Sequence, residues 1–417
     1  MRYTAEIIGV GTELLLGSTA NTDAQDVSQL LSELGINVYF HTVVGDNPHR
    51  LKEAVEIAKS RADIIITTGG LGPTYDDLTK QTIAEAFGKK LVFNEALADQ
   101  IREFFKTRRT HIKMPENNFR QAELPEDCVI FNNGIGTAPG CAFFAEGKHV
   151  LMLPGPPREC RAMLKSCVQP YLRGLSDEKI HSHNIHIFGM GESMVEDKLR
   201  ELMQDLSNPT LAPYAKDGEV MLRLTARASS DDEAQALMQP ILTKVCDTLG
   251  DIIYGIDTGS LEKTVLNLLL EQNATIAAAE SCTGGLFSKR LTDVPGSSEV
   301  FLGSVIAYST QSKISILGVS PELIAEKHAV SREVALAMAD SARLKFGADI
   351  GVGITGIAGP QSDSSGHKPG TVFVAVSTDN KSFCKSPYIF YDRDRVRIVG
   401  ASHAFDMLRR LLTGLPI

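Results

Sequence analysis

Ser281 lies in a stretch whose residue types suit nucleophilic chemistry. It precedes Cys282, Thr283, Gly284 and Gly285, between an apolar run typical of a buried strand and a segment typical of a helix. Such a turn presents a hydroxyl and several backbone N–H groups to one ligand at a helix N-terminus. The same residues also suit a simple Ser or Thr helix cap with a glycine turn, so the stretch alone leaves both interpretations open.

A nucleophilic serine needs a neighbouring base to take its proton, and histidine is the usual one. Three histidines follow in the chain: His328, His367 and His403. None of them lies in a recognisable motif. A lysine kept neutral by burial is the alternative base, and Lys313 stands where a predicted strand turns into a helix, close to Tyr308. An isolated lysine is more often a surface charge, so this assignment depends on its surroundings.

Thr355 and Gly356 end another predicted strand, and their loop suits an anion or an amide through N–H groups and a hydroxyl. The glycines at 351, 353 and 356 formally match a dinucleotide-binding pattern. Two of them lie inside the strand and no helix follows at the required place, so we reject that interpretation.

Arg393 and Arg397 lie near the start of the last predicted helix. Their four-residue spacing puts both on one helix face, where they could clamp one phosphate. The alternative is a solvated, salt-bridged helix start.

The N-terminal part has a second candidate site, where a predicted strand ends in Gly69, Gly70, Gly72 and Thr74. Glycines let a backbone approach a phosphate closely. Asp76 and Asp77 follow at once, and either could hold a divalent cation that bridges phosphates or simply cap the next helix. Gly155, in a proline-rich turn after a later strand, belongs to another loop of this kind.

Strands alternate with helices at both ends of the chain, which predicts an α/β protein with ligand sites at the carboxyl ends of parallel strands. We divide the chain into residues 1–171, 172–255 and 256–417, with a smaller α+β domain in the middle. The net charge of −9 argues against nucleic-acid or anionic-membrane binding. Seven cysteines without metal spacing, and no apolar run of membrane length, predict a cytoplasmic protein with reduced thiols.

The N-terminal motifs Gly11–Gly17, Thr68–Asp77 and Leu153–Pro157 resemble the molybdopterin-binding fold and, more closely, the N-terminal domain of the competence/damage-inducible CinA family. That resemblance implies a three-layer α/β domain with metal-dependent ADP-ribose pyrophosphatase activity. Asp76, Asp77 or Glu13 would then hold the cation, whose identity stays open, and the glycine loops would hold the diphosphate. The middle segment is similar to the KH-like domain of the same family.

The C-terminal motifs Ala279–Gly285, Pro295–Ser298, Ala329–Ser331 and Thr355–Pro360, with Tyr308 and Lys313 between them, resemble the family's nicotinamide-nucleotide amidase domain. The resemblance implies a three-layer α/β domain that hydrolyses NMN to nicotinate mononucleotide and ammonia without a cofactor.

In this scheme Ser281 attacks the carboxamide, Lys313 takes its proton, and Tyr308 orients Lys313 or relays the proton. N–H groups of residues 282–285, including Thr283, Gly284 and Gly285, or the Thr355 loop would stabilise the oxyanion. One or both of Arg393 and Arg397 would bind the phosphate. By resemblance we also expect a homodimer, and the competing hypothesis is a non-catalytic scaffold in the competence or DNA-damage response.

Overall fold

The structure is a computed structural model, and it describes residues 3–108, 114–175, 179–216, 218–362, 366–390 and 392–417. The chain forms two compact units. The first comprises residues up to 181 together with 227–231, and the second comprises residues 182–226 and 232–417. The second unit therefore contains most of the middle domain and all of the C-terminal domain. Across the described ranges, no helix combines the length and apolar character needed to cross a membrane.

The N-terminal domain alternates strands and helices as predicted. Its strands are β1 (Thr4–Val10), β2 (Asn37–Val44), β3 (Ile64–Thr68), β4 (Leu91–Phe93), β5 (Glu123–Pro125), β6 (Val129–Phe131), β7 (Gly140–Ala145) and β8 (Lys148–Leu153). Its helices are α1 (Thr12–Leu15), α2 (Thr22–Glu33), α3 (Pro48–Arg61), α4 (Thr79–Ala86), α5 (Glu95–Arg108), α6 (Pro157–Met163) and α7 (Gln169–Arg173). The predicted boundary at residue 171 falls inside α7.

The main N-terminal sheet has the strand order β2-β1-β3-β8-β7-β6. The first four strands run parallel to one another. Strand β7 is antiparallel to β8, and β6 is antiparallel to β7. One core packs α3, α4 and α5 against the sheet, and a second core packs α2, α6 and α7 against it. The predicted three-layer α/β arrangement is confirmed. The carboxyl ends of the parallel strands meet at one edge, between the two helical layers.

The middle domain is α+β, as predicted. Its elements are the strands β9 (Lys179–Phe188), β10 (Thr210–Lys216), β11 (Glu219–Ala228) and β12 (Ile253–Ile256), with helices α8 (Glu192–Gln204) and α9 (Asp231–Leu249). The sheet order is β10-β11-β9-β12. Along β11 buried and half-buried residues alternate strictly, which explains why its period of two was visible in the sequence.

The C-terminal domain contains the strands β13 (Ile276–Glu280), β14 (Phe301–Ile306), β15 (Ile350–Gly356), β16 (Val372–Ser377) and β17 (Ser382–Lys385). Its helices are α10 (Leu261–Gln272), α11 (Leu286–Thr292), α12 (Thr310–Ser315), α13 (Pro321–Lys327), α14 (Arg332–Phe346) and α15 (Arg393–Thr413).

The C-terminal sheet has the order β14-β13-β15-β16-β17. Its first three strands run parallel to one another, β16 is antiparallel to β15, and β17 is antiparallel to β16. Helices α10, α11 and α15 cover one face, and α13 and α14 cover the other. Glu280 at the end of β13 pairs with Ile306 of β14 and Ile354 of β15. The loops that follow these three strands therefore meet at one edge of the sheet.

The glycines of β15 explain why the dinucleotide pattern is misleading. An ideal Cβ on Gly351 would lie 2.0 Å from the Ala339 carbonyl oxygen, and one on Gly353 would lie 2.2 Å from that of Ala335. Both carbonyl groups belong to α14, so the missing side chains let this helix pack directly on the strand. These glycines serve packing, which agrees with our rejection of the dinucleotide-binding interpretation.

Candidate functional sites

Ser281 follows β13 directly, and its backbone is fixed on two sides. Its N–H donates to the Ile354 carbonyl oxygen at 2.9 Å, and its carbonyl oxygen accepts from the Gly284 N–H at 3.0 Å. Gly284 and Gly285 have φ angles of 60° and 92°, a left-handed region that glycine enters at little cost. The turn from strand to helix thus needs both glycines.

The carboxylate of Glu280 holds this turn against α11. Its side chain is fully buried and accepts hydrogen bonds from the N–H groups of Gly285 (3.0 Å), Phe287 (3.1 Å) and Ser288 (2.9 Å). The Ser288 hydroxyl adds a fourth bond, at 2.5 Å. A buried carboxylate is stable here because it faces unpaired N–H groups at the positive end of a helix. Sequence analysis missed Glu280, because no standard capping position predicts it.

The contacts of this turn bear on two alternatives that the sequence left open. No side chain caps α11 at its N-cap residue Gly285, so the interpretation of Ser281 as a simple helix cap is wrong. The N–H groups of Gly284 and Gly285 are already engaged within the turn. The candidates on this turn for stabilising an oxyanion are therefore the N–H groups of Cys282 and Thr283.

Lys313 lies on α12 with its side chain 2% exposed, so the surface-charge interpretation is wrong. Its Nζ lies 2.8 Å from Ser281 Oγ and 2.8 Å from the Ala307 carbonyl oxygen. The Tyr308 carbonyl oxygen is a more distant neighbour at 3.5 Å. Burial lowers the pKa of Lys313 to about 8, from an ordinary value of 10.5.

These three neighbours orient a neutral Lys313 amine. A neutral amine has two N–H groups and one lone pair, and the two carbonyl oxygens can only accept hydrogen bonds. The N–H groups therefore point to Ala307 and Tyr308, and the lone pair faces Ser281, the neighbour with a hydroxyl proton to give. This is the geometry of a nucleophile beside its base.

A cavity of about 260 Å³ opens over this pair, and Tyr308, Gly356 and Arg393 line it with them. The Tyr308 hydroxyl lies 3.0 Å from Arg393 NH2, and Arg393 NH1 donates to the Gly359 carbonyl oxygen at 2.7 Å. The phenol thus contacts the arginine, and the expectation that Tyr308 orients Lys313 or relays its proton stays a prediction. Thr310, Ala329, Val330 and Ala358 also line the cavity and were not predicted.

Other predicted C-terminal residues support the site without lining the cavity. Arg397 donates to the Thr283 carbonyl oxygen from Nε (3.3 Å) and NH2 (3.0 Å), and so holds the turn from outside. Thr355 donates its hydroxyl to the Ala329 carbonyl oxygen at 3.0 Å. Thr283 is fully buried, and its Oγ1 has no hydrogen-bond partner. Of the predicted arginine pair, Arg393 is the one at the cavity.

Cys282 also lines the cavity, but burial raises the pKa of its thiol to about 12. A thiol that stays protonated is a poor nucleophile. Ser281 therefore has no competing nucleophile in its own turn.

The N-terminal prediction converges on one cavity of about 520 Å³ at the carboxyl edge of the parallel strands. We call it the N-terminal cavity. All the predicted residues of this domain line it: Glu13, Gly69, Gly70, Gly72, Thr74, Asp76, Asp77 and Gly155. Asp23, Asp46 and Glu159 line it as well and were not predicted.

The acids on the α4 side of this cavity are tied to Thr74. Asp77 Oδ2 accepts from the Thr74 N–H at 2.8 Å and from its hydroxyl at 2.5 Å, and Asp76 contacts the same hydroxyl. Neither aspartate caps α4, whose N-cap residue is Leu78, so that alternative is wrong. Within the described ranges no three His, Cys, Asp or Glu side chains are placed to hold one metal ion. Glu13 therefore does not complete a ligand set with both aspartates.

Comparison with known proteins defines the class. Residues 6–174 match the profile described as "Probable molybdopterin binding domain", residues 182–255 match "Damage-inducible protein CinA KH domain", and residues 258–412 match "CinA C-terminal domain". The chain is thus a three-domain α/β protein that joins these modules in one polypeptide.

Full-length relatives establish the family. A "CinA-like protein" of Dictyoglomus turgidum is 47% identical over 98% of this chain and 99% of its own. A "CinA-like protein" of Kosmotoga olearia is 44% identical over 99% of both chains. The chain belongs to the CinA family. A crystal structure of CinA "with unknown function" from Thermoplasma acidophilum is 32% identical, and the match covers 40% of this chain and 98% of that one, with a TM-score of 0.38.

The Glu280 contacts generate a prediction. Glu280→Gln replaces a carboxylate with an amide whose NH2 faces backbone donors, so amide exchange across residues 281–292 should accelerate by about 10-fold to 100-fold. Hydrogen–deuterium exchange of peptides from this segment measures it. Glu271→Gln, at an exposed position of α10, is the matched control and should leave exchange unchanged. Equal exchange in both variants would show that the carboxylate does not hold the turn.

Proposed function

We propose that the C-terminal domain is an amidase that uses Ser281 as nucleophile and Lys313 as general base. The observation that carries this proposal is the 2.8 Å contact between Lys313 Nζ and Ser281 Oγ inside a desolvated site. Burial lowers the pKa of this lysine to about 8, so a substantial fraction of the Lys313 side chains is neutral and carries the lone pair that a base requires.

In the proposed reaction the Ser281 oxygen attacks a carboxamide carbon while its proton passes to Lys313. The N–H groups of Cys282 and Thr283 face the oxyanion that forms. The tetrahedral intermediate then loses ammonia, which takes the proton from Lys313, and an acyl-enzyme remains. Water attacks the ester carbon while Lys313 takes a proton from it. The ester bond then breaks, Lys313 returns this proton to the Ser281 oxygen, and the product loses its acid proton to solvent and leaves as a carboxylate.

The substrate that we propose is NMN, in line with the family resemblance. Arg393 brings a permanent positive charge to the cavity mouth, as a phosphorylated substrate requires. The Tyr308 phenol fixes one guanidinium nitrogen at 3.0 Å, and the residue is 59% exposed. This leaves an aromatic face beside the arginine on which a pyridine ring could stack.

We expect Ser281→Ala and Lys313→Met each to lower ammonia release from NMN by about a thousandfold or more, because each removes one half of the nucleophile–base pair. Ser386→Ala and Lys345→Met, both at exposed positions of the same unit, are the controls. A Ser281→Ala variant that releases ammonia at a near-normal rate would refute the mechanism, whereas a wild-type protein that releases no ammonia from NMN would favour the scaffold hypothesis.

The lowered pKa of Lys313 predicts the pH profile. A base works in its neutral form, so kcat/KM for NMN should rise about tenfold between about pH 7 and about pH 9, with an inflection near the pKa of about 8. Steady-state ammonia release across this range measures it. A profile that is flat, or that falls, would mean that Lys313 is not the base.

A second function belongs to the N-terminal domain, where we propose a metal-dependent pyrophosphatase acting on ADP-ribose. The observation in its favour is that glycine turns, hydroxyl groups and acids from separate loops line the N-terminal cavity together. The Gly69 N–H already donates to the Leu153 carbonyl oxygen at 3.0 Å, so the backbone N–H groups of residues 70–72 would bind the diphosphate.

The residues around Thr74 fit a hard cation such as Mg²⁺. This ion commonly takes only one or two protein carboxylates and completes its shell with water and substrate phosphate, so a three-acid cluster is unnecessary. Asp76 and Asp77 are the residues that would hold it, since both meet the Thr74 hydroxyl at the cavity wall. When bound, the ion would neutralise charge on the diphosphate.

Asp77→Asn should lower AMP release from ADP-ribose at least about tenfold at limiting Mg²⁺, because it removes a carboxylate ligand. Chromatographic detection of AMP with the full chain tests this. Asp99→Asn, at an exposed position of α5, should behave as wild type. A full-length protein that forms no AMP with any divalent metal would reject this second function.

A further inference from the structure

Asp23 differs from the other acids of the N-terminal cavity. The residue lines the cavity, yet it is only 7% exposed, and its Oδ1 is buried with no hydrogen-bond partner. The cavity acids with protein donors include Asp46, bonded to the Thr12 N–H and hydroxyl at 2.9 and 2.8 Å, and Glu159, bonded to Asn133 at 2.7 Å. Asp76 and Asp77 have Thr74.

The position of Asp23 places it across the sheet edge from Thr74. Asp23 lies in the first turn of α2, which packs with α6 on one face of the sheet. Helix α4, which follows Asp76 and Asp77, belongs to the core on the opposite face. The Gly69–Gly72 turn lies between them after β3. A diphosphate on the glycine turns would therefore have the two aspartates on one flank and Asp23 on the other.

Two charged residues act on Asp23 with opposite effects: Asp26 disfavours its ionised form and Arg161 favours it. Asp26, one turn along α2, repels a second negative charge, and Arg161 of α6 is engaged by Asp26, with Nε 2.6 Å from Oδ2. The Cys160 thiol, also on α6, stays protonated because burial raises its pKa. Desolvation is the largest influence, followed by Asp26, and together they raise the pKa of Asp23 to about 7. The remaining cavity acids, Glu13, Asp46, Asp76, Asp77 and Glu159, add no positive charge.

We infer that Asp23 is a phosphate-binding residue that acts as a neutral carboxylic acid, donating its O–H to a non-bridging oxygen of a bound diphosphate. An ionised Asp23 would repel the same anion and leave it without this donor. The inference rests on the proposed pyrophosphatase function of this cavity, and it adds a residue and a protonation state to it. It implies that diphosphate binding weakens as the pH rises through the titration of Asp23.

The test measures binding of an ADP-ribose analogue with a methylene bridge between the phosphorus atoms, at saturating Mg²⁺. Each phosphorus of this probe carries one acidic group that is ionised throughout, so the probe's charge stays constant between about pH 6 and about pH 8. Wild type should lose about tenfold in affinity across this range. Asp23→Asn keeps an N–H donor without the charge, so its affinity should be nearly independent of pH and exceed that of wild type at the alkaline end.

Asp23→Ala lacks the donor and should bind the probe weakly at both ends of the range. Glu33→Gln, at an exposed position of α2, should reproduce wild type. Lys80, whose pKa is also lowered to about 8 by burial, does not line the cavity, so any effect it has should persist in every variant.

An Asp23→Asn protein with the pH dependence of wild type would overturn the inference alone. A wild-type protein that binds no probe at any pH would overturn the pyrophosphatase proposal with it.

Discussion

The buried carboxylate of Glu280 is the contact on which the C-terminal site depends. It joins the end of β13 to the first N–H groups of α11 and so fixes the five-residue turn that carries Ser281. The N–H groups at the positive end of this helix are thereby occupied by a side chain of the protein. A permanent positive charge at the cavity is therefore supplied by Arg393, on a different helix, and the hydroxyl of Ser281 lies 2.8 Å from Lys313 Nζ.

The same physical rule places both candidate sites. In each three-layer domain the parallel strands end at one edge, and the loops that follow them converge there. For this reason glycines, hydroxyl groups and charges that are far apart along the chain, such as those near Thr74 and Gly155, can be assigned to one site from the sequence alone. Strand and helix positions are equally predictable, because β11 and α2 show clean periods of two and 3.6.

What the sequence could not show is the direction of each side chain and its burial. Arg393 and Arg397 lie on one helix with ideal spacing, yet one faces the cavity and the other holds the Thr283 carbonyl oxygen. The Tyr308 hydroxyl is hydrogen-bonded to Arg393, a contact that the sequence did not predict. Glu280 and Asp23 escaped notice because their importance comes from desolvation, a tertiary property that leaves no pattern in neighbouring residues.

Burial has opposite consequences for the two ends of the chain. In both sites burial favours the neutral form of an ionisable group, and desolvation is the largest cause of the pKa shift of that group. A neutral lysine is a base and gains activity as the pH rises, whereas a neutral aspartic acid is a donor and loses function as the pH rises. With pKa values of about 8 for Lys313 and about 7 for Asp23, the proposed activities change in opposite directions across the same interval. One chain with both proposed sites would then shift between diphosphate binding and amide hydrolysis as the pH changes.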